Sequence, residues 1–193
     1  MKVLVLFCHP VEDSFNAAVH RTVLENLRAA GHEVDDCDLY AEGFQPVLTR
    51  EERIGYHDLE TNRQPVQAYV DRLMAAEALV LVTPVWNFGF PAMLKGYFDR
   101  VFLPGVSFRM QDGKVRPCLW HIRKVAACMT YGGSWMRAFL VGNPPKKVVN
   151  RVLRAVVRPA APIGFHAHYD MNRSTPETRA KHLEKIAAAM RAF

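Results

Sequence analysis

The chain has 193 residues, half of them apolar, and a net charge of +6 from 25 Lys and Arg against 19 Asp and Glu. That length builds one packed core and falls short of two ordinary domains, so a single domain over residues 1–193 is expected. No stretch approaches the ~20 apolar residues that span a bilayer, and the early run Val3 to Phe7 is too short for a secretory signal, so the protein is expected in the cytoplasm.

Val3 to Cys8 is a continuous apolar run closed by His9-Pro10, the pattern of a strand buried on both faces of a parallel sheet. Ala17, Val19, Val23, Leu24 and Leu27 then recur at helical spacing between Asn16 and Ala30, with Gly31 as a C-terminal cap. Glu33 to Leu39 reads as an edge-like strand, and the polar, irregular residues 40–62 are placed to cover a site. A helical pattern runs from Pro65 to Glu77 and gives way to Ala78 to Thr83, the most strand-like run in the chain. Pro91 opens a helix that carries Met93, Leu94, Tyr97, Phe98, Val101 and Phe102 on one face. Val125 to Met129 makes the fourth strand. Asn143-Pro144 caps a helix with the stripe Val148, Val149, Val152, Leu153, Val156 and Val157, stopped by Pro159. Ile163 to Tyr169 is the fifth strand, and Thr175-Pro176-Glu177 starts the last helix. Strands alternating with helices of this length imply right-handed crossovers. The expected fold is α/β, a doubly wound, flavodoxin-like five-stranded parallel sheet in the order 2-1-3-4-5.

Cys8, Cys37, Cys118 and Cys128 form no C-x-x-C pair and are expected to be reduced, structural thiols. His166 and His168 fall on one face of the fifth strand, which favours a structural role over zinc. Between Lys114 and Tyr169 there are ten positive residues and no acidic one, while the rest of the chain is net acidic. A basic face of this kind suits phosphates. A nucleic-acid module is disfavoured, because the cations are not interleaved with exposed aromatics and their helix has a complete core stripe.

In an open parallel sheet ligands bind beyond the C-terminal strand ends at the topological switch point, here between the first and third strands. The loop after the first strand, His9 to Ala17, lacks G-x-G-x-x-G and the P-loop pattern. Ser14 and Asn16 suit a helix N-terminus, where free N–H groups, a Ser hydroxyl and His9 hold a phosphate, or where the two residues simply cap. The loop after the third strand, Thr83 to Pro91, places Trp86 and Phe88 between Pro and Gly. Solvated loops gain nothing from large aromatics, so these imply a flat apolar ligand, the alternative being core packing. After the fourth strand, Gly132-Gly133 permits close backbone approach and a nest of N–H groups suited to developing negative charge, or serves as a plain turn.

Together, His9-Pro-x-x-x-Ser14-Phe15-Asn16, the run from Pro84 through Trp86-Asn87-Phe88-Gly89 to Pro91-Ala92-x-Leu94-Lys95-Gly96-Tyr97-Phe98-Asp99-Arg100-Val101-Phe102, and Thr130-Tyr-Gly132-Gly133 resemble the NAD(P)H quinone reductase family of DT-diaphorase type. The likeness covers almost the whole chain and is nearer to compact bacterial members. It implies an enzyme that binds a flavin at a homodimer interface and passes hydride by a ping-pong cycle from NAD(P)H to a quinone-like acceptor. It also implies that His9, Asp13, Ser14, Phe15, Asn16 and Ala17 hold the phosphates. Pro84, Val85, Trp86, Asn87 and Phe88 would line the isoalloxazine, and Thr130, Tyr131, Gly132 and Gly133 would meet its pyrimidine edge. The cofactor implied is FAD, with FMN as the alternative, through Phe15 together with Arg179 and Leu183 on the last helix. The Tyr and His relay of the animal enzymes is missing, so Arg137 or Tyr131 is expected to supply the polar contact. Phe108 and Met110 replace two acceptor-pocket tyrosines and would face the partner's flavin. A second reading is a regulatory flavoprotein that docks a potassium efflux transporter through the basic helix at 144–158.

Overall fold

The computed structural model describes every residue from Met1 to Phe193. Five parallel strands form one sheet in the order β2-β1-β3-β6-β7, from β1 (Lys2–Phe7), β2 (Glu33–Asp38), β3 (Ala78–Val85), β6 (Lys124–Tyr131) and β7 (Ile163–His168). This is the order expected from the five strands read in the sequence. Along β1 the side chains alternate across the sheet: Val3, Val5 and Phe7 join the layer under α1 (Phe15–Ala29) and α8 (Pro176–Arg191), while Leu4 and Leu6 join the layer under α3 (Gln67–Ala75) and α4 (Ala92–Val101). Both layers are buried, which is why these strands read as continuous apolar runs.

Several boundaries and one element depart from the sequence reading. β4 (Phe108–Gln111) and β5 (Lys114–Pro117) form a separate antiparallel hairpin that the periodicity did not announce, because most of its side chains are exposed. Its turn, Asp112 and Gly113 at φ 53° and 70°, is the two-residue Asp-Gly connection that favours such hairpins. The segment expected to cover the site instead packs on α4. It contains α2 (Arg50–Ile54), whose Glu52 meets the buried Arg100 guanidinium at 2.6 Å, and Gly96 has no room for a Cβ against the Pro46 backbone. A short α5 (Trp135–Leu140) follows β6. The helix expected from Pro144 is composite: α6 (Pro144–Lys147), a π-helical turn Val148–Leu153, and α7 (Arg154–Val156). The wider turn rotates Val152 out of the expected stripe, leaving it 57% exposed while Val149 and Leu153 stay buried. Asn143 does not cap this helix with its side chain. It sits at φ 46° and turns its amide toward two tyrosines. No helix is long and apolar enough to cross a membrane.

Candidate active site

β1 and β3 are neighbours, and the chain leaves them toward opposite faces of the sheet, so a crevice opens beyond their C-terminal ends. A cleft of about 350 Å³ lies there, bounded by His9, the start of α1, Pro84 to Trp86, Thr130 and Gly132. Met171 and Asn172, from the turn after β7, close the far side.

At one end is the N-terminus of α1. Ser14 caps it, its Oγ accepting from the Ala17 N–H at 3.1 Å. The N–H groups of Phe15 and Asn16 donate to no protein acceptor, so the helix presents two free donors and the positive end of its dipole to the cleft. His9 Nδ1 lies 3.1 Å from the Val11 nitrogen and 3.2 Å from the Val11 carbonyl oxygen, accepting from the one or donating to the other according to its tautomer. Burial pushes the imidazole below its ordinary pKa, which favours the neutral ring. Asn16 is 3% exposed; its Nδ2 donates to Thr130 Oγ1 at 3.3 Å, while its Oδ1 has no partner. A buried carbonyl left unmatched costs on the order of 1–3 kcal/mol. Asp13 is solvent-exposed and makes no hydrogen bond through its side chain. Ala17 is buried in the α1 core face.

Trp86 supplies the aromatic wall. It is 42% exposed, belongs to neither core layer, and stands edge-on to His9 at 6.1 Å. Asn87 and Phe88 form the tip of a tight turn closed by Trp86–Gly89 hydrogen bonds of 2.8 and 3.1 Å, with φ of 48° and 57°. That left-handed pair is strained for phenylalanine, and such strain concentrates at ligand-binding sites. Pro84 and Val85 are buried and floor the cleft beneath Trp86.

On the other side, the N–H groups of Gly132 and Gly133 find no protein acceptor. The cleft continues past them into a polar recess lined by Ser134, Arg137, Asp170, Asn172 and Arg173. Arg137 lies over Gly133 and forms no ion pair. Tyr131 does not reach the cleft: it is 2% exposed, packs at a tilt on Tyr169 with ring centroids 4.6 Å apart, and donates to Asn143 Oδ1 at 2.7 Å. Burial drives its phenol well above the usual value.

Phe108 and Met110 lie on the hairpin and line no part of the cleft. Arg179 and Leu183 share a face of α8 but contribute no lining residue either. Phe15 lines the cleft beside Ser14 and also has protein partners, His168 at 5.3 Å and His182 at 6.1 Å between ring centroids. Met171, Asn172 and Arg173 were missed. The rule that ligands gather beyond strand C-termini applied to the fifth strand as well as the other three, and it was the available signal.

This arrangement is an open, doubly wound parallel sheet with an anion-seeking helix end, an aromatic wall and a glycine nest at its switch point, where such sheets take their ligands. Residues 1–192 match the flavodoxin-like fold family, and the chain belongs to it. It is similar to the NAD(P)H dehydrogenase (quinone) 1 of Rattus norvegicus, 32% identical over 123 residues that make up 55% of this chain and 45% of that protein. It is also similar to an FMN-dependent NADH:quinone oxidoreductase 3 of Halalkalibacterium halodurans, 35% identical over 128 residues, 58% of this chain and 60% of that one. The chain thus spans about half the length of the curated relatives it matches. Among solved structures it superposes on an NAD(P)H:quinone oxidoreductase from Methanothermobacter marburgensis with TM-score 0.85 and 25% identity, covering 99% of this chain and 98% of the other.

Proposed function

We propose that the protein is a flavin-dependent oxidoreductase, a single flavodoxin-like unit that takes two electrons from NAD(P)H and delivers them to a quinone-like acceptor in a ping-pong cycle. The observation that carries this reading is a cleft at the switch point whose walls are free backbone N–H donors of Phe15, Asn16, Gly132 and Gly133 and an exposed Trp86. Such a set fits a flavin: anionic at one end, flat and apolar in the middle, with imide N–H and carbonyl groups at the edge. A flavin held there supplies hydride chemistry, and the protein supplies position and electrostatics.

The Phe15 and Asn16 N–H groups, the His9 imidazole and the capped start of α1 hold the phosphate end. Trp86, with Pro84 and Val85 beneath, holds the ring system and keeps water from it. Gly132 and Gly133 N–H groups, with Arg137 beyond them, stabilise negative charge at the ring's polar edge. Tyr131 is spent on Asn143 and receives no such role. Two relatives support the acceptor class, being named quinone oxidoreductases, and one is named FMN-dependent. FMN is the better-supported flavin, because Phe15 is engaged by His168 and His182 and α8 adds nothing to the cleft lining. We further propose a homodimer in which Phe108 and Met110 of one copy approach the cleft of the other. Extraction and chromatography of the bound flavin, with light scattering of the coloured protein, tests both points: released FAD would overturn the FMN assignment, and an active, flavin-saturated monomer would overturn the dimer.

A further inference from the structure

A second cavity, of about 380 Å³, lies at the free edge of the sheet, between the C-terminal end of β7 and the first turns of α8. It shares no lining residue with the cleft at the switch point and adjoins the polar recess through Asp170 and Arg173. Phe15, Arg179 and Leu183, on which the FAD expectation rested, lie outside it. Arg173 reaches it from the turn after β7, and Lys181 and Lys185 reach it from α8. None of the three forms an ion pair, although Asp170 lines the same cavity. Two histidines complete the lining, His168 from β7 and His182 from α8, only 8% and 7% exposed, with ring centroids 5.1 Å apart. Each leaves one buried ring nitrogen without a partner, Nδ1 of His168 and Nε2 of His182. Buried polar atoms are ordinarily hydrogen-bonded, so two such nitrogens and three unpaired cations in one cavity form a set of donors with no acceptor of the protein's own.

We propose that this cavity binds a phosphomonoester group. Such a group brings close to two negative charges and three strong acceptor oxygens, which Arg173, Lys181 and Lys185 meet with charge-assisted hydrogen bonds. The Ser174 hydroxyl and the two imidazoles add neutral donors at the same lining. Burial holds both imidazoles below their ordinary pKa, His182 at about 4, and the nearby His166, His168 and Lys185 push His182 the same way. A bound dianion offsets that repulsion. A metal ion fits poorly, because three cations face the one carboxylate of Asp170. The site stands on this cavity alone and does not require the flavin reading. The phosphate is either the 2′-phosphate of NADPH, entering by way of the recess, or part of a separate small molecule.

The test is calorimetric titration of the full-length protein, flavin retained, with inorganic phosphate in a chloride buffer of constant ionic strength, followed in parallel by the NMR signals of the histidine rings. The proposal expects saturable binding, with the His168 and His182 signals moving along the same curve. Lys181→Gln with Lys185→Gln should weaken it about tenfold or more, the factor that a single charged contact supplies. Both positions are exposed, so the double variant should keep the wild-type circular dichroism and flavin spectrum. Kinetics separate the two sources. A fall of similar size in kcat/KM for NADPH and not for NADH assigns the phosphate to the co-substrate, whereas unchanged constants beside weakened phosphate binding assign it to a separate phosphomonoester. No saturable binding, binding that the double variant leaves intact, or binding that moves neither histidine overturns the proposal.

Discussion

Replacing Trp86 by Ala should separate binding from stability. A tryptophan in a packed core costs about 3–5 kcal/mol when truncated to alanine, but Trp86 is 42% exposed and joins neither buried layer. Its loss should therefore cost the unliganded protein less than ~1 kcal/mol. The ring faces the cleft beside His9, and an aromatic platform under a flat heterocycle is worth about 1–3 kcal/mol, so flavin affinity should fall roughly 5- to 150-fold. Phe88→Gly is the companion test of the turn. With φ 57° at Phe88 and 48° at Asn87, the variant creates the Asn-Gly sequence that this two-residue turn prefers, and the unliganded protein should gain up to about 1 kcal/mol. Urea denaturation of the flavin-free protein and fluorescence titration with FMN measure the two quantities. If Trp86→Ala unfolds the protein, or binds flavin as the wild type does, the aromatic wall is structural and the reasoning fails.

Acidification should destabilise the protein through His182, whose burial lowers its pKa from 6.5 to about 4. The folded state resists the proton that the unfolded chain accepts, so this contribution is complete above pH 6.5 and is lost as pH falls toward 4, on the order of 2 kcal/mol; urea midpoints measured across that window should drop less in His182→Leu. Arg100→Met should cost about 3–5 kcal/mol by leaving Glu52 buried without its cation, whereas the Arg100→Met, Glu52→Leu double variant should recover much of that; equal losses would place the stability elsewhere. Asn143→Ala should cost about 1–3 kcal/mol by unpairing the Tyr131 hydroxyl, without changing flavin affinity by more than a few-fold in the same titration. The cations near the cleft should favour NADPH over NADH in kcat/KM, and Arg137→Ala should reduce that ratio roughly 10- to 150-fold, a charged contact being worth about 1.5–3 kcal/mol; equal ratios in both proteins would dismiss the contact.

The sheet order was legible because β1, β3 and β6 are buried on both faces and so write themselves as apolar runs. The hairpin at 108–117 was not, since its side chains face solvent and only Asp112-Gly113 marks it. At the site, glycine and aromatic residues in loops after β1, β3 and β6 pointed to the cleft, because loops seldom hold such residues without cause. What a residue type cannot show is whether its polar group is already spent. Tyr131 looked available and is bonded to Asn143. Val152 belonged to the helical stripe at 3.6 residues per turn and is turned outward by the π-helical winding. Asn172 and Arg173 reach the cleft only because β7 lies beside β6, a fact of topology.

The measurement that bears most directly on the central claim is the visible absorption spectrum of the purified protein, followed anaerobically as NADPH or NADH and then a quinone are added. The account predicts a bound flavin that bleaches with the nicotinamide and regains its colour with the quinone, leaving one hydroquinone per nicotinamide oxidised. A protein that stays colourless when mixed with FMN or FAD, or whose flavin no reduced nicotinamide bleaches, would contradict it.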